Sequence, residues 1–311
     1  MTSEARSGLA GSFPSVVRTA AKATLRRYGT ITADRRPLPE FLIIGTKRGG
    51  TTSLWNYLIS HPLVLPMFPS AQKMKSNAYF FSHYDRGPSW YRSHFATATQ
   101  RASVERRVGH RPIAGEASPY YMYDPRVAER VRSVLPEVRL IVQLRNPVDR
   151  AYSHYGERVN AGVEPLSFEE ALAAEPGRLQ GEDQRMLADP YYYSEPHDWY
   201  SYRDRGIYAP QLSRWLELFP AEQIHIVRSE DLYADEQATV NQVVDFLGLP
   251  RRHLDTVKRH NYRPATTMAH ESRAELEDFY RPHNARLFEI IGRDLGWRDR
   301  RSSTAENGLP G

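Results

Sequence analysis

The chain has 311 residues, enough to bury a sizeable core in one or two domains. Lys plus Arg total 42 against 37 Asp plus Glu, a formal +5 interleaved along the chain, which suits a small anionic ligand better than a long nucleic-acid track. Zero cysteines exclude a disulfide scaffold, a cysteine nucleophile and any thiolate metal site, and no apolar run reaches the roughly 18 residues of a membrane span.

Residues 1–39 form a leader rich in Ser, Ala, Arg and Pro, in which Val16 to Arg27 can make a short basic amphipathic helix. Its two readings are a weak foot on an anionic membrane surface and a packed or solvated leader helix. No continuous apolar core follows Met1, so it is not a secretory signal, and a cytoplasmic location is expected. Phe41–Ile44 reads as a buried strand stopping at Gly45, and Thr51–Ser60 as a helix with Leu54, Tyr57 and Leu58 on one face. Pro112–Gly115 is a weaker strand before a helix near Pro125–Leu135. Arg139–Leu144 is a strong strand, and Pro147 at the first helical position starts a helix toward Asn160. A helix over Ala209–Phe219 precedes a strand at Gln223–Val227, and helices near Glu236–Leu247 and His270–Ile291 follow. Short apolar strands alternating with helices define an α/β fold, a central parallel sheet flanked by helices. Residues 40–297 read as one domain, and residues 298–311 as a frayed tail.

The first strand–turn–helix carries the chemistry. Gly45-Thr46-Lys47-Arg48-Gly49-Gly50-Thr51-Thr52 approximates the phosphate loop G-x-x-x-x-G-K-[ST]: Gly45 and Gly50 keep the glycine spacing and Thr52 the hydroxyl. Thr51 stands where the lysine belongs, and the cations have moved inside the loop as Lys47 and Arg48. Glycines let backbone N–H groups close round an anion, and the helix start adds its positive end. Nucleotide triphosphate users also need an acid at a neighbouring strand end to hold magnesium. Here the strand Arg139–Leu144 runs into Arg145. A pocket of cations, with no metal, is expected to take a ligand that is anionic at two ends.

The loop Gly45–Leu54, followed by Arg145-Asn-Pro-Val-Asp-Arg-Ala-Tyr-Ser153, resembles the paired signatures of sulfotransferases that use 3′-phosphoadenosine 5′-phosphosulfate (PAPS). The likeness is closest to the heparan-sulfate N- and 3-O-sulfotransferase branch and its bacterial relatives. It continues through Gly115-Glu-Ala-Ser-Pro-Tyr, Gly206-Ile-Tyr, Phe246-Leu-Gly-Leu, Asn261-Tyr-Arg and Gly292-Arg-Asp-Leu-Gly-Trp, covering about Phe41 to Trp297. The resemblance implies the nucleotide-kinase-like sulfotransferase fold with a phosphate loop. It implies that Lys47, Arg48, Gly49, Gly50, Thr51 and Thr52 hold the 5′-phosphosulfate, that Arg145 and Ser153 hold the 3′-phosphate, and that Tyr262 and Arg263 in a late loop grip the same end. The family's catalytic lysine falls on Arg48, with Lys47 beside it. The resemblance further implies adenosine 3′,5′-bisphosphate (PAP) as the product and, as the expected acceptor, the hydroxyl or amine of a glycan or glycosylated small molecule.

The general base is less determined. Heparan-type relatives place a glutamate where this chain has Asn77, and an amide cannot accept a proton at neutral pH. Glu116, after the second strand, and His83, beyond Phe81, are the candidates. The rival reading of Glu116 is a carboxylate that orients a loop, and that of His83 is a structural ring. Tyr120, Tyr121 and Tyr123, and the stretch Tyr191–Tyr202, suit either stacking on sugar or adenine or ordinary packing. Two other classes compete with the sulfotransferase reading: a nucleotide kinase with a degenerate phosphate loop and a non-enzymatic polyanion-binding module. Oligomeric state is not readable from the sequence.

Overall fold

The computed structural model describes residues 15–254 and 268–297, with side chains from residue 23 onward. Its sheet has five parallel strands: β1 (Phe41–Gly45), β2 (Val64–Leu65), β3 (Ile113–Ala117), β4 (Arg139–Leu144) and β5 (Ile224–Arg228), in the order β2-β3-β1-β4-β5. The chain builds outward from β1 on one side through β2 and β3, then crosses back to lay β4 and β5 on the other. That reversal opens a crevice at the carboxyl ends of β1 and β4, where α/β sheets receive ligands.

Every residue of β1 is buried, because both faces of the strand are covered. On one face Leu42, Ile44, Leu140 and Val142 pack with the helices Val127–Val134 and Tyr208–Leu216. On the other, Phe41, Ile43 and Ile141 pack with the helices Thr51–Ser60 and Glu236–Phe246. A third cluster of Val148, Phe168, Tyr202, Leu276 and Tyr280 ties the Pro147–Asn160 helix to the helices Phe168–Leu179 and His270–Ile291. It fixes the helix that carries Ser153.

The helices Thr51–Ser60, Pro147–Asn160 and His270–Ile291 and the strand Arg139–Leu144 have the predicted bounds. The weaker strand is displaced, to Ile113–Ala117. Its last three residues look unlike a strand, yet Gly115, Glu116 and Ala117 pair with Phe41, Leu42 and Ile43. The missing Cβ of Gly115 admits the Phe41 ring, which would lie 2.4 Å from one. The leader helix runs over Ser15–Ile31 and is fastened to the body by Arg26, which donates to the Ser93 carbonyl at 2.8 Å.

Candidate active site

β1 ends at Gly45, and the loop returns over β4: the Thr46 amide donates to the Gln143 carbonyl at 2.7 Å, and the Gly49 amide to the Thr46 carbonyl at 2.9 Å. Two glycines are demanded by this packing. A Cβ on Gly49 would lie 2.9 Å from the Gln143 carbonyl, and Gly50 has φ 90° with the Tyr233 hydroxyl 2.6 Å from where a Cβ would stand. Ser229, opening the helix after β5, clamps the loop: its single hydroxyl hydrogen lies between the carbonyls of Gly49 (2.5 Å) and Leu144 (2.8 Å). Arg48 also sits in the left-handed region, at φ 68°. A residue with a Cβ there costs roughly 1–3 kcal/mol, strain that accumulates at functional sites.

The structure sends the two loop cations in different directions. Arg48 Nε donates to Ser153 Oγ at 3.0 Å, and its guanidinium reaches Glu157 at 3.8 Å. Arg145 donates to the Arg48 carbonyl at 3.1 Å and is itself held by Tyr208, whose hydroxyl donates to the Arg145 carbonyl at 2.9 Å. Arg48, Arg145 and Ser153 therefore meet at the mouth of the crevice. Lys47 turns instead to Asp198, with Nζ 3.2 Å from both the carbonyl and Oδ1. Burial, reinforced by the nearby Arg205, lowers its pKa to about 8, although Asp198 works in the opposite direction. Asp198 also accepts from Arg205 at 3.3 Å and from the Tyr193 hydroxyl at 2.9 Å. Burial alone would push this carboxyl up, but Arg205 and Lys47 hold it below its usual value.

A fourth cation, beyond Lys47, Arg48 and Arg145, escaped the sequence reading. Lys75 Nζ donates to Thr52 Oγ1 at 2.9 Å, and burial lowers its pKa, as does Arg48, against the pull of Glu157. The signal for it in the sequence is its place two residues before Asn77. Gln143, on β4 beneath the loop, is fully buried, and its side-chain amide finds no hydrogen-bond partner at either atom. A loop of glycine amides and a helix start, three lysine or arginine side chains close by and a buried unpartnered amide suit a phosphorylated, multiply anionic ligand.

Of the two base candidates, Glu116 lies nearer this machinery. It is fully buried on β3, accepting from Tyr121 and from Ser76 Oγ at 3.3 Å. Burial raises its pKa to about 7, against the lowering effect of those hydroxyls. Ser76 is the neighbour of Lys75, so Glu116 reaches the loop through that segment. The His83 ring stacks on Trp90 at 5.2 Å, beside the helix Gly87–Arg92. Thr51 is buried and Thr52 half-buried at the helix start. Tyr262 and Arg263 lie outside the described residues. Tyr120, Tyr121 and Tyr123 are buried rather than open to a ligand: Tyr120 pairs with His197 at 2.7 Å and Tyr123 with Asp204 at 2.6 Å. Ordinary packing is the reading that holds for these three.

A glycine-rich strand–loop–helix at the switch point of a parallel sheet places the chain among α/β proteins of the phosphate-loop type. The sulfotransferase domain model matches residues 38–276. The chain belongs to the sulfotransferase family, the transferases that draw sulfuryl groups from PAPS. It is 31% identical to human heparan sulfate glucosamine 3-O-sulfotransferase 6, over 85% of this chain and 75% of that one. It is 27% identical to the membrane-associated sulfotransferase kil1 of Dictyostelium discoideum, over 84% and 67%. A solved sulfotransferase from Alicyclobacillus acidocaldarius superposes with a TM-score of 0.63 at 32% identity, covering 85% of this chain and all of the other. The expected cytoplasmic location does not stand, since a membrane-associated enzyme is among these relatives. Among the described residues, no helix is long and apolar enough to cross a membrane.

Proposed function

We propose that this chain transfers the sulfuryl group of PAPS to a hydroxyl or amine of a glycan or glycosylated small molecule, in line and without a metal. The observation that carries the reading is the meeting of Arg48, Arg145 and Ser153, drawn from two segments about a hundred residues apart. The loop amides of Gly50 to Thr52 receive the 5′-phosphosulfate end, with Gly49 turning the loop through its bond to Thr46, and Arg145 and Ser153 receive the 3′-phosphate. PAPS supplies the sulfuryl group: its bond to the phosphate oxygen breaks with the electron pair leaving on phosphate, a new bond forms to the acceptor atom, and the acceptor proton passes to solvent.

Charge gathers on the leaving oxygen, so the protein's task is positioning and neutralisation. Arg48 exchanges Ser153 for the phosphosulfate and stabilises the leaving group as a permanent cation, with no proton to give. Lys75 approaches the same end from Thr52. Lys47, tied to Asp198, braces the wall of the site. Glu116 is a positioning residue: it holds Ser76 and thereby the segment that aims Lys75. His83 is structural, packed on Trp90.

PAP should raise the melting temperature of the wild-type protein with EDTA present, and Arg48→Ala should lower kcat by about 100- to 1,000-fold while the protein stays folded. Absence of any shift at saturating PAP in a folded sample refutes the donor assignment, and unchanged kcat removes Arg48 from the mechanism.

A further inference from the structure

The leader helix Ser15–Ile31 meets the body through Arg26, which donates to the Ser93 carbonyl, and through Gly29, which is buried so close to that carbonyl that a Cβ would lie 2.8 Å from it. A different side of the helix is left uncovered. Leu25, Tyr28 and Ile31 follow one another there at three-residue steps, exposed by 39%, 51% and 74%, although Tyr28 keeps an edge against Phe68 at 6.1 Å. They are three of the eight exposed large hydrophobics among the described residues, gathered within seven positions. Helical spacing carried toward the amino end reaches the Ala21 and Val17 positions. Apolar residues scattered singly on a surface are ordinary, whereas a row of them marks a contact.

Charge decides what covers this row. Residues 1–36 hold seven Lys and Arg against two Asp and Glu, so the whole formal +5 of the chain falls there and residues 37–311 are balanced. The helix itself carries Arg18, Lys22, Arg26 and Arg27 and no acid. A second copy of the chain would bring the same positive charge to the contact and be repelled. A nucleic acid would match the charge and not the apolar row. A bilayer containing anionic lipid matches both: leucine and isoleucine enter the boundary between headgroups and acyl chains, tyrosine sits at headgroup level, and Lys and Arg meet the lipid charges. We infer that the Ser15–Ile31 helix is a reversible foot on anionic lipid bilayers, lying in the plane of the surface with Leu25, Tyr28 and Ile31 immersed. The row is too short to hold the protein alone, so attachment needs the basic residues as well and weakens as salt screens them.

The test sediments the full-length protein with sucrose-loaded vesicles of phosphatidylcholine alone, and of phosphatidylcholine mixed equally with phosphatidylserine, at low and high salt. Binding to the anionic vesicles at low salt is expected to exceed binding to the neutral ones by at least about tenfold and to be lost at high salt. Leu25→Ser combined with Ile31→Ser should weaken it by on the order of tenfold and leave the melting temperature in place, because both side chains are exposed. Arg27→Glu, at an exposed position, should weaken it similarly. Equal binding to the two vesicle types, binding to neither, or anionic binding that the Leu25 and Ile31 substitutions leave unchanged overturns the proposal. So does self-association that those substitutions abolish, or capture by polyuridylic acid, in a protein that ignores vesicles: the first gives the row to a second copy and the second gives the charge to nucleic acid.

Discussion

Glu116→Gln separates the two roles this carboxylate can have. Glu116 is fully buried, and burial raises its pKa from an ordinary 4.5 to about 7. Below pH 4.5 the group is protonated in both the folded and unfolded chain and costs nothing extra. Between 4.5 and 7 the unfolded chain releases its proton first, so stability falls as the pH rises. Above 7 the folded protein carries a buried carboxylate at a cost of about 3 kcal/mol. Glutamine keeps an oxygen for Tyr121 and Ser76 and never ionises. The stability of Glu116→Gln relative to wild type should therefore be level near pH 4.5 and climb by about 3 kcal/mol toward pH 8. Glu175, likewise raised to about 7 by burial, gives both proteins the same slope, which cancels in the difference. Urea unfolding followed by tryptophan fluorescence from pH 5 to 8 measures this, and a pH-independent difference refutes the reasoning. The same variant decides the chemistry. A positioning residue should keep kcat within about tenfold, whereas loss of a general base would cost on the order of 100- to 10,000-fold and abolish a limb of the pH–rate profile near 7.

Lys75→Met should lower kcat by on the order of 100-fold with less effect on acceptor KM, because the ammonium acts on charge that develops in transfer; a pure KM effect would place Lys75 on the acceptor instead. Gly50→Ala should cost about 1–2 kcal/mol for a left-handed backbone, with added strain from Tyr233 and the Gln143 amide, and should abolish the PAP-induced melting shift. An unchanged PAP shift in a folded Gly50→Ala protein would show that the loop can bind without its glycine geometry.

Periodicity made most of the sheet and its long helices legible, and the loop was legible from its glycines. What escaped divides into elements with no local signal and elements whose start signals were present but not used. Val64–Leu65 is a two-residue strand that exists because Leu63 O receives Ile113 N at 2.8 Å, a contact with no trace in local sequence. The helices Ala98–Val108 and Phe168–Leu179 did carry legible starts, in the capping boxes of Thr97 with Gln100 and Ser167 with Glu170. The three tyrosines after β3 read as open because a loop at a strand's carboxyl end usually faces ligand. Here partners on other segments claim two of the hydroxyls, His197 that of Tyr120 and Asp204 that of Tyr123, and the nearby Glu116 takes that of Tyr121.

Lys47 and Arg48 show most clearly where spacing stops being informative. They are adjacent, both basic and both in the loop, so no pattern of spacing ranks one above the other. The turn of the backbone at Arg48, with φ 68°, separates their side chains. The destination of each is then set by partners far along the chain: Asp198, 151 residues beyond Lys47, and Ser153, 105 beyond Arg48. Asp198 lies in an aromatic stretch with nothing to mark it as a loop partner, and it removes one of the two cations from direct reach of the crevice. The backbone turn therefore sorts the two charges: it sends the permanent guanidinium to Ser153 at the mouth of the crevice and the lysine, whose charge burial weakens, to Asp198.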